Sequence, residues 1–552
     1  MSGFTRREML AFAASTAAAR TISEGRETTG AYGVAATEPA IAVRAAGEIL
    51  SHGGNAFDAA VAAGLAACMI EPHNVDIGGY VCCAVILEGK SGRAFCLDAN
   101  SISPAAAKDG MYHVLPKGEG RAINENEYHC SVRDDANING PLAVGVPGVM
   151  GGFGRLHEKW GRAKWSSLFQ PSLDMLSNGM PFGPMANAVR AREAVIRRYP
   201  AAEKHLIPEG RLPKPDDKWH RRDMETTLTR LAQTGWRDFY EGELGHRIAD
   251  HVRNLGGILT REDMARFDPR IVSPYETTFR GGRVFCGVLA NGGLSVAQML
   301  NMWEQLPKAS LTDPMYWHQL AEVGKLAWRD RLRYFGDGAA PEKFLSKDYA
   351  AGRVESLRSN PRLVDRQSAP SANPSSGTTN ITTADADGNM VAMTISHGGS
   401  FGSCVTVPDT GITLGHGMCR FDPRPGRPNS VAPRKRPLNN VCPTILRLPD
   451  RDVACGLRGG RRIVNVASHV CRQLVEHNAT GLAAVTSPRL HVEEQGPIEV
   501  TRNMNEAIVR ELRSIGHEVT IVDAVGGPTN ACERLKGGGL RAASNVSSVA
   551  VS

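Results

Sequence analysis

The sequence predicts an α/β protein whose sheets are covered by helices, and three observations carry that expectation. Short strands and small-residue helices alternate near the start of the chain. A long middle section has mainly helical spacing. From Thr378 onward the pattern changes to short strands followed by helices. Strands grouped beside flanking helices bury the sheet and leave the helices outside.

The elements follow in order. About 30 residues precede the first periodic segment and read as an N-terminal extension, residues 1–30. A short strand then leads into helical spacing from Pro39 to Leu50. Gly53-Gly54 stops that helix, and Asn55 is placed to cap the next one. That next run, AFDAAVAAGLAACMI, is nearly apolar all round, which predicts a helix buried on most sides. GGYVCCAVILEGKSGRAFCLDA reads as a hairpin turning at Lys90-Ser91-Gly92. From Pro147 to Asp337 apolar residues recur at three- and four-residue spacing, predicting mainly helix. Ser359–Gly377, rich in Pro, Ser and Asn, reads as an exposed loop where a chain is readily cut. TTNITTAD and NMVAMTIS then flank Ala386-Asp387-Gly388 as a hairpin. Further strands are expected at GITLG, PTILRLP, RDVACGL and HEVTIVDA, with helices at RIVNVASHVCRQLVEH and MNEAIVRELRSIG.

Composition narrows the function. The net charge of +7, from 64 basic and 57 acidic residues, is spread along the chain. No basic run carries interleaved aromatics, which argues against nucleic acid as a partner. No apolar run reaches the length a membrane helix needs, so no membrane partner is expected. The 12 cysteines form no C-x-x-C pair and read as small buried hydrophobes. MSGFTRREMLAFAASTAAAR, with its paired Arg6 and Arg7, resembles a twin-arginine export signal, while the cysteine usage leans toward a reducing compartment. Export and a cytoplasmic location both stay open.

Several chemistries fail on spacing. GVPGVMGGFG lacks the preceding strand and following acid of a dinucleotide site. The chain has no P-loop and no metal-ligand spacing among its 16 histidines. Paired hydroxyls remain, Thr378 and Thr379, at the joint between the loop and a strand. Alone, a Gly-Thr-Thr joint carries no chemistry.

Its neighbours supply it. The blocks GGNAFDAAVAAGLAACMIEPHNVDIGGY, GVPGVMGGF, FYEGELGHRIADHVRNLGGILTREDMARF, TTNITTADADGNMVAMTIS, FGSCVTVPDTGITL, NSVAPRKRPLNNVCPTI and GLRGGRRI run in order from Gly53 to Ile463. Together they resemble the γ-glutamyltransferase family of N-terminal-nucleophile hydrolases. The resemblance implies a four-layer αββα sandwich and a self-processing precursor. Cleavage between Gly377 and Thr378 would give a large chain, 31–377, and a small catalytic chain, 378–552, that remain together as a heterodimer. Thr378 would then be the nucleophile, with its own α-amine as base. An α-amine titrates near 7.7–8, so it accepts a proton near neutral pH. Glycine at 377 tolerates the strained backbone that such an attack needs. The resemblance also implies that Ser396 orients the nucleophile and that the N–H groups of Gly459 and Gly460 hold the oxyanion. No metal or organic cofactor is implied.

The acyl pocket departs from the family. Asn100 stands where members that use γ-glutamyl groups place an arginine for the α-carboxylate. Arg420 replaces the aspartate that holds the α-ammonium, with Asp422 two residues on. Asn439 and Asn440 replace a serine pair, and Gly398 and Gly417 replace two amides. Arginine in place of aspartate repels an α-ammonium and suits a carboxylate. The expected substrate therefore carries a carboxylate and lacks the α-ammonium, with Arg420, Asn100, Asn439 and Asn440 as binding residues. The expected activity is amide hydrolysis or acyl transfer. Three alternatives stay open: a relative that cleaves a C–C bond to release an oxalyl-type group, a true γ-glutamyl transferase or glutathione hydrolase, and a binding protein that keeps the fold without the chemistry.

Overall fold

A strand buried on both faces reads as an unbroken run of apolar and small residues, and Val81–Leu87 and Met390–Gly398 are such runs. They lie side by side in a 13-stranded sheet. The computed structural model covers the intact chain and describes residues 21–116, 119, 128, 130–183, 185–365, 377–494 and 496–552. Its sheet contains β1 (Ile22–Gly30), β2 (Gly33–Thr37), β3 (Val81–Leu87), β4 (Ala94–Asn100), β5 (Arg270–Val272), β6 (Tyr275–Phe279), β7 (Gly282–Cys286), β8 (Gly377–Asp385), β9 (Met390–Gly398), β10 (Thr444–Arg447), β11 (Arg451–Leu457), β12 (Thr529–Leu535) and β13 (Leu540–Val551). The order is β5-β4-β3-β9-β8-β2-β13-β12-β11-β10-β7-β6, with β1 also paired to β13.

β13 is the fold's pivot. Its last residues, Ser547–Val551, pair with β2, and its first, Leu540–Ser544, pair with β12. The sheet therefore folds over on itself, and its halves stack face to face. Period-two alternation sorts the side chains between the layers. Val34, Ala36, Val85, Met390 and Ala392 point inward and meet Phe285, Ile445, Ala454 and Cys532 of the other half. The outward-facing Cys82, Ala84, Ile86, Val391, Met393 and Ile395 pack on α1 (Ala40–Ser51), α2 (Ala56–Ile70) and α3 (Val149–Trp160). On the far side, Val284, Leu446, Val453 and Leu457 pack on α4 (Gly293–Glu304), α5 (Pro314–Tyr334) and α6 (Arg462–Glu476). The four layers are α, β, β, α, as the resemblance implied.

α2 shows how the sequence enforces this. Asn55 accepts from the N–H groups of Phe57 and Asp58, and Asp58 accepts from Asn55 N–H. Such a capping box contributes about 1 kcal/mol. Every residue of the helix except Ile70 is buried. A methyl at Gly64 would lie 2.5 Å from the Phe153 ring, so glycine there lets α3 approach.

One expectation needs correction. The extension does not run to residue 30, because Ile22–Gly30 pairs along β13. The Pro147–Asp337 section is mainly helical, as its spacing predicts, and its short strands β5, β6 and β7 complete the sheet's two ends. The stretch that resembles a twin-arginine signal, residues 1–20, and most of the loop before Gly377, residues 366–376, lie outside the described residues. Eleven of the twelve cysteines are buried.

Candidate active site

β8 and β9 are joined by the turn at Ala386–Gly388, and their register sets Thr378 opposite Ser396. Facing side chains on non-hydrogen-bonded positions of an antiparallel pair lie close. Thr378 Oγ1 and Ser396 Oγ are 2.9 Å apart. Ser396 Oγ also lies 2.6 Å from the Gly377 carbonyl oxygen and accepts from Gly398 N–H at 2.9 Å. A serine hydroxyl has one proton, and a carbonyl can only accept, so Ser396 donates to Gly377 O. Thr378 is then the donor to Ser396. One chain of hydrogen bonds thus runs from the threonine hydroxyl, through Ser396, to the carbonyl of the preceding residue. Thr378 and Ser396 are 4% and 1% exposed, so bulk water does not compete for these bonds.

Glycine at 377 is required by space. A methyl there would fall 2.5 Å from the Gly399 carbonyl oxygen. The sheet register shifts between Gly377 and Thr378, so the peptide joining them departs from the regular ladder.

The glycine pair lies across the sandwich. Thr378 and Asn380 share the inward face of β8. A methyl on Gly456 of β11 would meet the Asn380 amide at 2.2 Å. Asn530 Nδ2 donates to Asn380 O at 3.0 Å, and Cys532 Sγ lies 3.3 Å from Thr382 O. β11 and β12 pair Gly456 with Asn530 and Ala454 with Cys532. Each two-residue step back along β8 is therefore a two-residue step forward along β11. Thr378 comes opposite Arg458, and Gly459 and Gly460 follow. Gly459 has φ of +143°, and a methyl there would lie 2.6 Å from Gly526 Cα. Among the described residues, neither Gly459 N–H nor Gly460 N–H donates to a backbone carbonyl.

Arg420 stands on the other side of Ser396. Its Nη2 donates to Gly398 O at 2.8 Å, and its guanidinium carbon lies 5.9 Å from the centre of the Tyr80 ring, within cation–π range. Tyr80 N–H donates to Ser396 O at 2.9 Å, which ties that ring to the nucleophile's strand. Gly398 and Gly417 make room for this arrangement. A methyl at Gly398 would strike the His416 ring at 2.4 Å, and one at Gly417 would lie 2.6 Å from Ser101 Oγ. Asp422 is consumed by Arg424, which approaches both its carboxylate oxygens at 2.8–2.9 Å.

The three asparagines are placed differently. Asn100 Nδ2 donates to Pro437 O at 2.8 Å, while its Oδ1 is buried and accepts nothing among the described residues. Asn439 spans the fold: Nδ2 donates to Asn291 Oδ1 at 2.9 Å and Oδ1 accepts from Val441 N–H at 3.0 Å. Asn291 in turn donates to Asp98, which Arg270 also engages. Asn440 Oδ1 accepts from the buried Arg331 at 2.8 Å. The structure thus brings Thr378, Ser396 and Arg420 together and commits Asn439 and Asn440 to the scaffold.

Residue spacing also missed a cluster of possible metal ligands. His318, Glu322 and His517 meet in the core beside α5. His318 Nδ1 and His517 Nε2 are 2.8 Å apart, while Glu322 accepts from Lys325 Nζ at 2.7 Å and from Asp365 N–H at 3.1 Å. The lysine ammonium already supplies the positive charge that a cation would bring.

Comparison with known proteins agrees with this geometry. The family model described as Gamma-glutamyltranspeptidase matches residues 42–551. The chain belongs to that family. Acylase ACY 1 proenzyme of Pseudomonas sp. (strain V22) is 30% identical over 519 residues, covering 92% of this chain and 91% of the relative. Glutathione hydrolase proenzyme of Bacillus subtilis (strain 168) is 28% identical, covering 89% and 85%. Among solved structures, cephalosporin acylase from Bacillus halodurans superposes with a TM-score of 0.82 at 25% identity, covering 94% of this chain and 95% of that one. This γ-glutamyltranspeptidase-family chain is thus an enzyme of the N-terminal-nucleophile type. Its relatives are hydrolases and acylases made as proenzymes.

Sequence reasoning missed Tyr80, Arg458 and Glu38. Tyr80 closes a quoted block, Arg458 interrupts the apolar run before the glycine pair, and Glu38 is a lone acid between a buried strand and a buried helix. Those local interruptions were the available signal.

Proposed function

We propose that this enzyme is an acylase that hydrolyses the amide of a carboxylate-bearing acyl group lacking an α-ammonium. The observation that carries the proposal is the Arg420 guanidinium bonded to Gly398 O, two residues from Ser396, whose hydroxyl contacts Thr378. A cation so placed, resting on the Tyr80 ring, favours an acyl tail ending in carboxylate. It disfavours the ammonium of a γ-glutamyl group, since like charges at a buried site cost several kcal/mol. That a relative by sequence and a structural neighbour are both named acylases points the same way.

The chemistry uses Thr378 twice. In the precursor, its Oγ attacks the Gly377 carbonyl carbon while its proton passes toward Ser396. The C–N bond breaks and the nitrogen takes up a proton to become the free α-amine, and water then hydrolyses the resulting ester to release the Gly377 carboxylate and restore the Thr378 hydroxyl. In the mature enzyme that amine takes the Oγ proton as Oγ attacks the substrate carbonyl. Gly459 and Gly460 N–H groups stabilise the oxyanion. The amine then returns the proton to the departing nitrogen, and water releases the acid from the acyl-enzyme.

Two p-nitroanilides test the specificity. Glutaryl p-nitroanilide and γ-glutamyl p-nitroanilide share one carbon chain and one terminal carboxylate and differ only in the α-ammonium. The expected outcome is kcat/KM at least about tenfold higher for the glutaryl compound, equivalent to about 1.4 kcal/mol. Arg420→Gln should remove that preference mainly through KM. A wild-type preference for the γ-glutamyl compound refutes the proposal.

A further inference from the structure

The joint between β2 and α1 carries a carboxyl that the reaction above does not use. β2 and β8 pair Ala36 with Thr382, and Thr37 Oγ1 donates to Asn380 O at 2.8 Å. Glu38 therefore follows on the line of β2, opposite Asn380, and the chain then turns away into α1. Glu38 is 3% exposed, and neither carboxyl oxygen makes a full hydrogen bond. The side chain of Asn530 and the N–H of Asn380 lie near enough to favour its charged form.

The titratable groups around it come from two segments, the end of β11 and the turn beyond α2. Arg458, before the glycine pair, has Nε 3.7 Å from Glu38 Oε1. Glu71, just beyond α2, has Oε2 3.6 Å from Arg458 Nη1. His73 lies near Glu71 and Arg458, and burial keeps it neutral by lowering it to about 4. Burial is the largest influence on Glu38 and pushes it up to about 8, with Arg458 opposing and Glu71 adding.

Backbone direction connects this carboxyl to the nucleophile. The Asn380 carbonyl faces β2, since it accepts from Thr37. In an antiparallel strand, alternate residues turn their N–H and C=O groups to the same side, so the Thr378 nitrogen also faces that side. It lies about 7 Å along the strand from Asn380 N. β2 ends at Thr37, so no strand of the sheet stands opposite Thr378 there. The next group on that line is Glu38.

We infer that Glu38 is a positioning residue for the N-terminus released at Thr378, its carboxyl accepting a hydrogen from the α-amine and turning the nitrogen lone pair toward Thr378 Oγ. This rests on the reading that the Gly377–Thr378 bond is cut. Before cleavage the nitrogen is a peptide amide with no basic lone pair, and Glu38 keeps its proton. After cleavage the carboxyl and the amine share one proton as a coupled pair. The carboxylate holds the amine's proton more tightly than solvent does, so removing Glu38 lowers the pH at which the amine becomes free.

The experiment titrates the α-amine by competitive labelling with 2,4-dinitrofluorobenzene across pH, followed by mass spectrometry of the peptide that begins at Thr378. It needs no substrate. Purified wild-type, Glu38→Gln and Glu38→Asp proteins are compared. Absence of that peptide in wild type overturns the cleavage reading itself, which is a separate failure. With the peptide present, the expected midpoint in wild type lies above about 8, the upper value for an ordinary α-amine. Glu38→Gln should lower it by about one unit or more, and Glu38→Asp, which keeps the charge, should largely restore it. Midpoints for wild type and Glu38→Gln within about 0.3 unit overturn the inference. Should Glu38→Gln fail to fold or to cleave, the wild-type midpoint decides alone, and a value at or below about 8 overturns it.

Discussion

Replacing Ser396 with alanine removes one oxygen that serves three partners: it accepts from Thr378 at 2.9 Å and from Gly398 N–H at 2.9 Å, and it donates to the Gly377 carbonyl at 2.6 Å. The last bond matters most for self-cleavage. In the proposed self-cleavage the Gly377 oxygen would become an oxyanion as Thr378 attacks, and Ser396 is the donor already aimed at it. Deleting one such donor costs about 10²–10³ in rate, roughly 2.7–4 kcal/mol of transition-state stabilisation. The variant also leaves Gly398 N–H buried without its acceptor, which costs about 1–3 kcal/mol of stability. The assay is a time course of precursor and 378–552 fragment by gel and intact mass, started from rapidly purified protein. Ser396→Ala is expected to convert about 10²–10³ times more slowly than wild type, while Ser396→Thr, which keeps the hydroxyl, converts within about tenfold. Urea melts of the two variants separate slow chemistry from poor folding. If Ser396→Ala is processed within about threefold of wild type, the assignment of donor and acceptor at this site is wrong.

Gly459→Ala places a methyl 2.6 Å from Gly526 Cα at a φ of +143°; the loop must shift, and turnover of the processed enzyme should fall about 10²-fold, read as kcat on the preferred anilide. His397, next to Ser396, has both ring nitrogens buried without a partner among the described residues, and burial lowers it to about 3. Its folded value lies below its unfolded value, so the unfolded chain takes up the proton first and stability is lost as pH falls through 6.5 toward 3. His397→Leu should spare up to about 2 kcal/mol of the loss between pH 7 and pH 5, measured by urea midpoints.

Some elements were legible because one local signal decided them. The run after Asn55 fills α2 without a residue to spare, since it pairs a capping box with an apolar stretch. The β8–β9 hairpin followed from its turn at Ala386–Gly388. β5, β6 and β7 escaped because they are three to five residues long and alternate polar side chains, as in YETTF. The C-terminal hairpin was not anticipated at all. Its buried positions include Asn530, Ser544 and Ser548, which satisfy one another or distant backbone: Ser544 Oγ donates to Asn530 Oδ1 at 2.7 Å, and Ser548 Oγ to Gly25 O at 2.7 Å. A strand whose interior is hydroxyl and amide does not announce itself by hydrophobicity. At the site, Thr378 was found through the family pattern. Glu38 and Arg458 meet across more than 400 positions of sequence, and neither residue names its partner.

Sheet order explains why a cut in the middle of this chain need not release either piece. With a cut before Thr378, β8 and β9 would fall in the small chain, flanked by β2 and β3 of the large chain. The other small-chain block, β13-β12-β11-β10, is bounded by β2 on one side and β7 on the other, and β1 also pairs with β13. Five ladders of backbone hydrogen bonds therefore join the two future chains. Breaking the peptide at Gly377 removes none of them, because the bond lies at the very start of β8, where the register is already shifted. The same interleaving orders events in time. Ser396 reaches the Gly377 carbonyl only once β8 and β9 are paired, and Arg458, with Gly459 and Gly460 after it, comes opposite Thr378 only once the two halves of the sheet have stacked. The groups proposed to cut the chain are assembled by the contacts that would afterwards hold it together, so on this reading cleavage follows folding.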